Sequence, residues 1–239
     1  MESVTFYPRS EQIGDFLGAL ERAALSSSVQ NTLSKFYIFA EHSWNPHYSS
    51  LLPFAQLVEL KIGSSCDGGC SSRVDDDIVI SLSRAMPKLE FLTLGDTPCG
   101  RSTTGITTKG LLALAHHCPK LLSLRVHLQV ASLSEPSRIP GMVRNAGPAA
   151  SWTDCALTDL SVGKAPVPKR SAMIIALTLL RIFPRLDCIM FINDGWEGVE
   201  NAINCSREII DCSSKQHPLT APRSTLNDHS TGAALETSG

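Results

Sequence analysis

Excess charge of either sign is missing from this sequence. Its 239 residues carry 21 Lys and Arg against 23 Asp and Glu, for a net charge of −2. The basic residues are scattered rather than gathered in a stripe, so neither nucleic acid nor an anionic membrane surface is expected as a partner. Long hydrophobic runs are missing too. The most apolar stretch, Ala172 to Leu180, is about half the length that crosses a bilayer, and Arg170 and Arg181 bound it closely. A core helix suits it better. The first ten residues lack the charged start and apolar centre of a signal peptide. No Gly-x-x-x-x-Gly-Lys-Ser/Thr loop and no Gly-x-Ser-x-Gly elbow occurs, which leaves phosphate-loop and serine-hydrolase chemistry without a foothold.

Cysteine, by contrast, is present eight times, at positions 66, 70, 99, 118, 155, 188, 205 and 212. Cys118 and Cys155 precede apolar segments and Cys188 lies within one, places that suit a reduced thiol acting as a small buried hydrophobe. Without a secretion signal, free thiols in a reducing compartment are expected, hence cytoplasm or nucleus.

A hydrophobic fraction of 43% and a charged fraction of 18% suit a chain with a substantial core. The apolar residues recur in a pattern, leucine-x-x-apolar-x-apolar. It reads Leu33-x-x-Phe36-x-Ile38, Leu57-x-x-Leu60-x-Ile62, Leu89-x-x-Leu92-x-Leu94, Leu121-x-x-Leu124-x-Val126, Leu157-x-x-Leu160-x-Val162 and Leu186-x-x-Ile189-x-Phe191, with first leucines 24 to 36 residues apart. Self-similarity at such a period marks a solenoid, in which each unit buries its apolar face only against its neighbours.

Between strands, the chain returns through helices. Asp75-Asp76-Asp77 opens an apolar-faced helix over Ile78 to Met86, where acidic residues suit the positive end of the helix dipole. Thr107 or Thr108 can cap a helix through Gly110 to Cys118, and a third runs from about Lys169 to Phe183. Each return ends in one form: Pro87-Lys88-Leu89, Pro119-Lys120-Leu121, Pro184-Arg185-Leu186.

Strand alternation turns the pattern's apolar residues toward the helices and the residues between them outward. The outward set is Glu59 and Lys61, Phe91 and Thr93, Ser123 and Arg125, Asp159 and Ser161, Cys188 and Met190. Stacked in register, these positions form one continuous face, the best candidate for binding a protein partner. Arg125 suits an anchoring role, and Phe91 and Met190 would be unusual exposed apolar residues.

The segments Met86-Pro87-Lys88-Leu89-Glu90-Phe91-Leu92-Thr93-Leu94 and Gly105 to Leu124, with its His116-His117-Cys118-Pro119 junction, resemble leucine-rich repeats. Their nearest likeness is the cysteine-containing kind found in fungal-type F-box proteins. The resemblance implies an α/β leucine-rich-repeat solenoid of five or six units, with parallel short strands on the concave side and helices and loops on the convex side. It implies an array over residues 30–204 with a loop insertion at 129–154, where Ser, Pro, Gly and Ala replace a return helix. A helical lead-in is expected over 1–29, with an amphipathic helix from about Glu11 to Leu25. A short helix near Trp196 to Ala202 should precede a disordered polar tail over 205–239. In that family the repeats capture a substrate for ubiquitin-dependent degradation, while an F-box docks on a Skp-type adaptor. The first thirty residues here show no Leu-Pro opening of an F-box, so the adaptor is expected only if an F-box exists. The spacings near 32 also exceed the family's usual range of about 20 to 29.

No cofactor or metal is expected. The rival reading is a metal-binding or cysteine-dependent enzyme around Cys66, Cys70, His116, His117 and Cys118. A zinc site would need two further ligands beside Cys66-Asp67-Gly68-Gly69-Cys70, and none is near. A cysteine nucleophile draws its base from a separate element, whereas His116-His117-Cys118 is contiguous at a helix end. Asp75-Asp76-Asp77 lacks the alternation of a calcium loop, which leaves it a helix start. A third reading is a truncated remnant of a longer protein.

Overall fold

The computed structural model describes residues 2–7, 15, 18–20, 22, 27–41, 48–65, 74–95, 105–134, 153–163, 166–168, 170–191 and 194–215. Seven strands follow one another along the chain: β1 (Glu2–Phe6), β2 (Leu33–Glu41), β3 (Glu59–Ser65), β4 (Phe91–Leu94), β5 (Ser123–Arg125), β6 (Asp159–Ser161) and β7 (Cys188–Met190). They form one sheet in sequence order, and every neighbouring pair is parallel. Parallel neighbours require a crossover between strands. Helices supply five of the six: α1 (Ser27–Thr32), α2 (Asp76–Ala85), α3 (Thr108–His117), α4 (Val130–Leu133) and α5 (Ala172–Ile182), with a 3-10 turn (Tyr48–Leu51) between β2 and β3 and α6 (Glu197–Lys215) closing the series. The fold is α/β and solenoid-like.

One apolar row crosses the whole sheet and a second runs beside it. Val4, Phe36, Leu60, Leu92, Leu124, Leu160 and Ile189 pair directly from strand to strand. Ile38, Ile62 and Leu94 form a second row, continued by the buried Val126 and Val162. The pattern's first leucines, Leu33, Leu57, Leu89, Leu121, Leu157 and Leu186, are buried as well. One core joins these side chains to Val79 and Leu82 of α2, Leu111 and Leu114 of α3, and Ile175 and Leu179 of α5.

The junction from helix to strand has one construction. The N–H of Leu57, Leu89, Leu121 and Leu186 donates to the carbonyl three residues back, on Phe54, Met86, Cys118 and Phe183, at 3.1–3.2 Å. Proline at the second position of such a turn presets its φ, which explains Pro87, Pro119 and Pro184. The next residue then reaches across to the preceding repeat. The N–H groups of Val58, Glu90, Leu122, Thr158 and Asp187 donate to the carbonyls of Ser34, Val58, Glu90, Leu122 and Thr158 at 2.7–3.0 Å.

Helix starts are also shared between repeats. Asp75 caps α2 by accepting from the Ile78 N–H at 3.0 Å. Asp76 turns instead toward α3, accepting from the N–H of Thr107 at 2.8 Å and of Gly110 at 3.1 Å, and from the Thr107 hydroxyl. Gly110 is required there, because a Cβ would stand 2.5 Å from the Asp76 Oδ1. Asp77 pairs with Lys109 on the surface. The acidic triplet thus serves two helix starts.

Three expectations differ from the structure. Residues 1–29 begin with β1 rather than a purely helical lead-in; Val4 and Phe6 take the inward places without a leading leucine. Asp15, Gly18, Ala19, Leu20 and Arg22, within the expected amphipathic helix, are helical. The 129–154 insertion opens with α4, whose Leu133 is buried and whose carbonyl accepts from the Thr178 hydroxyl at 3.1 Å; residues 135–152 lie outside the described residues. The helix expected near Trp196 to Ala202 runs from Glu197 to Lys215, past the limit set at 204 for the array, so residues 205–215 are helical where a disordered tail was expected. Buried Val199, Ala202 and Ile203 seat its first half, with buried Trp196 in the 3-10 turn just before it, and Arg207 pairs with Asp187 beside β7. The remaining tail, 216–239, lies outside the described residues.

Leu92→Ala and Leu124→Ala should each cost about 2–5 kcal/mol in chemical denaturation, since both side chains are enclosed between strand and helix layers. Values near zero at both sites would contradict this packing. Asp76→Ala should cost about 1–3 kcal/mol, because it strips an acceptor from the start of α3 while leaving α2 its own cap. Hydrogen exchange should then quicken in α3 more than in α2.

Candidate functional site

The sheet's other face carries the outward positions in two rows. Ser3, Lys35, Glu59, Phe91, Ser123, Asp159 and Cys188 pair in one; Thr5, Tyr37, Lys61, Thr93, Arg125, Ser161 and Met190 pair in the other. All of the sequence-derived face residues are therefore brought together. Phe91 is 37% exposed and Met190 41%, Arg125 is exposed, and Thr93, Ser123, Asp159 and Ser161 are half-buried. Asp159 accepts from the Thr158 hydroxyl at 2.6 Å.

Glu59 differs from expectation. It sits in an outward row yet is buried, because two lysines close over it. Lys35 Nζ stands 3.1 Å and Lys61 Nζ 2.7 Å from its carboxylate, each lysine side chain about 40% exposed against 10% for Glu59. Tyr37 donates its hydroxyl to the same carboxylate, and the Lys61 ammonium lies 5.2 Å from the Tyr37 ring centroid. Burial alone would raise the Glu59 carboxyl, but hydrogen bonds from Lys61, Tyr37 and Lys35 outweigh it and hold it at about 2. Burial, then the hydrogen bond to Glu59, pushes the Tyr37 hydroxyl up to about 12. At neutral pH Glu59 is therefore a carboxylate and Tyr37 keeps its proton.

Lys35, Tyr37, Ser3 and Thr5 were not in the sequence-derived set. The first two stand at the same offsets from Leu33 that Glu59 and Lys61 hold from Leu57, so the repeat itself carries their signal. Ser3 and Thr5 have no leading leucine to mark them. Beside these rows Tyr7 stacks on Phe39, with centroids 5.5 Å apart. His127 lies against Gly163, whose φ of 65° and 2.9 Å clearance from a would-be Cβ to the imidazole admit no larger residue.

The rival cysteine site does not assemble among the described residues. Cys118 is fully buried, with its thiol donating to the carbonyls of Ser83 at 3.6 Å and Met86 at 3.5 Å. Burial, with Cys155 adding to it, pushes this thiol up to about 12, so it holds its proton at neutral pH. Cys155 repeats the arrangement one unit on, donating to the Cys118 carbonyl at 3.6 Å. His116 is exposed and His117 half-buried. Among the described residues no three His, Cys, Asp or Glu side chains gather as metal ligands, and no helix is long and apolar enough to cross a membrane. Cys66 and Cys70 lie outside the described residues; Cys118, Cys155, Cys188 and Cys205 are free thiols.

No family model and no curated protein matches the chain. The class defined by the fold is therefore structural: an α/β chain with one seven-stranded parallel sheet, solvent-facing on one side.

Because its pKa is lowered on folding, Glu59 stabilises the protein above its ordinary value near 4.5, and this contribution is lost as pH falls toward 2. Relative to Glu59→Gln, the wild type should be about 2–3 kcal/mol more stable at pH 7, with the difference fading by about pH 2 in urea titrations. A pH-independent difference would mean that the two lysines and Tyr37 do not hold the carboxylate ionised.

Proposed function

We propose that this chain is a leucine-rich-repeat scaffold that binds a protein partner on the outer face of its sheet and carries out no chemistry of its own. The observation behind this is the alignment of Phe91, Thr93, Arg125 and Met190 in two register-locked rows, with apolar side chains left open to solvent among polar ones. Exposed aromatic and arginine side chains on a rigid support are the usual makings of a binding hot spot. The buried, proton-bearing Cys118 speaks against a cysteine nucleophile at the same place. The narrower form of the proposal is substrate recognition in ubiquitin-dependent degradation, in cytoplasm or nucleus. It rests on the resemblance to F-box proteins with cysteine-containing repeats, and a Skp-type adaptor would join only through an F-box.

Site-specific photo-crosslinking tests the face. Helix α5 offers the natural rival surface, since Met173, Ile174 and Leu177 are exposed there. A crosslinker at Thr93 should capture a discrete partner in cells, and one at Leu177 should not. Capture from Leu177 alone would overturn the proposal. A pull-down of the native chain that recovers no Skp-type adaptor would remove the degradation reading and leave partner binding standing.

A further inference from the structure

We infer that the outer sheet face takes an acidic peptide segment carrying an apolar side chain, which seats on Phe91 while its carboxylates meet the cations on either side. This rests on the outer face being the binding surface. Its five charged side chains among the described rows are Lys35, Glu59, Lys61, Arg125 and Asp159, three cations against two carboxylates, in a chain whose overall charge is −2. What solvent meets is more one-sided than that count. Glu59 is covered by the two lysines it pairs with, and Asp159 is half-buried, whereas Lys35 and Lys61 are about 40% exposed and Arg125 is exposed.

The register sets the spacing. Lys61, Thr93 and Arg125 are direct neighbours on β3, β4 and β5, so the backbone positions carrying the two cations stand about 10 Å apart with a small side chain between them. Phe91 lies two residues along β4 from Thr93, on the same face, and is 37% exposed. An apolar ring beside a gap flanked by cations matches an apolar side chain with Asp or Glu close by in sequence. Glu59 meets both lysines, one with each carboxylate oxygen, but its single negative charge leaves the cluster one positive charge in excess for a ligand. Nucleic acid would also answer to positive charge, but its phosphates call for a longer basic track than these residues provide.

The test pans a random peptide library of about 12 residues against the full chain, then measures selected peptides by fluorescence anisotropy. Selected sequences should place Asp or Glu beside Leu, Phe or Trp, and binding should weaken as salt rises. Thr93→Glu sets a carboxylate between Lys61 and Arg125, where cross-strand pairing should preserve the fold. It should weaken the selected peptides about tenfold, and so should Phe91→Ser, with unchanged thermal melting. Peptides that lose affinity in Phe91→Ser but carry no acidic residues, and ignore Thr93→Glu, would overturn the acidic-ligand inference and leave the face intact. Peptides indifferent to both substitutions, or no selection at all, would overturn the face and the inference together.

Discussion

The carbonyls of Val58, Glu90, Leu122 and Thr158, each just ahead of a strand, accept two N–H groups from the following repeat, at 2.7–3.1 Å. This column of shared acceptors is the constraint on which the rest of the fold depends. It lies where a turn becomes a strand, so it fixes the depth at which every strand enters the sheet. A slip of one residue would carry each row of side chains to the opposite face. Leu60, Leu92, Leu124 and Leu160 would then face water, and Lys61, Thr93, Arg125 and Ser161 would be driven into the helices. The core and the outer face follow from the same set of backbone bonds.

Each repeat completes polar groups of its neighbour. Cys118 donates its thiol to carbonyls at the end of α2, Cys155 does so to the turn after α3, and Asp76 of α2 holds the start of α3. Thr178 of α5 reaches the Leu133 carbonyl at the end of α4. Removing one partner within the array would leave the other without its bond, at a cost of roughly 1–3 kcal/mol where it stays buried. Stability in such an array resides largely between units, which favours cooperative behaviour over independent repeats. It also explains why the cysteines stay free: their positions call for a small apolar group with one weak donor, and a charged thiolate would be unsupported there.

Much of this was legible in the sequence because the features are local and repeated. The leucine spacing marked six of seven strands, the Pro-basic-Leu junction marked the turns, and Asp75 and Thr107 marked helix starts. The missed features lack a repeat signal. β1 has Val4 and Phe6 but no leading leucine, and it earns its place by pairing with β2. The length of α6 could not be read from apolar periodicity, because past Ile203 the helix turns polar and Arg207 finds Asp187 on a different element. Strand alternation alone places Glu59 among the outward, exposed residues. Its burial depends on Lys35, 24 positions earlier, which only the register brings alongside.

The same register explains why this sheet face can offer specificity without a pocket. Side chains at matching offsets repeat about every 4.8 Å across strands, so a partner meets a fixed grid rather than a cavity. Difference between grid points comes from substitution at those offsets: an ammonium at 35 and 61, a ring at 91, a guanidinium at 125, a thioether at 190. Phe91, Arg125 and Met190 lie outside the leucine core, so each can change with little effect on stability. Lys35 and Lys61 are exceptions, because with Tyr37 they are tied to Glu59 in one hydrogen-bonded cluster. Glu59 is its centre. By holding Lys35, Tyr37 and Lys61 in fixed places it lowers the side-chain entropy a partner must remove on binding, and so gives the basic end of the face an ordered geometry before any ligand arrives.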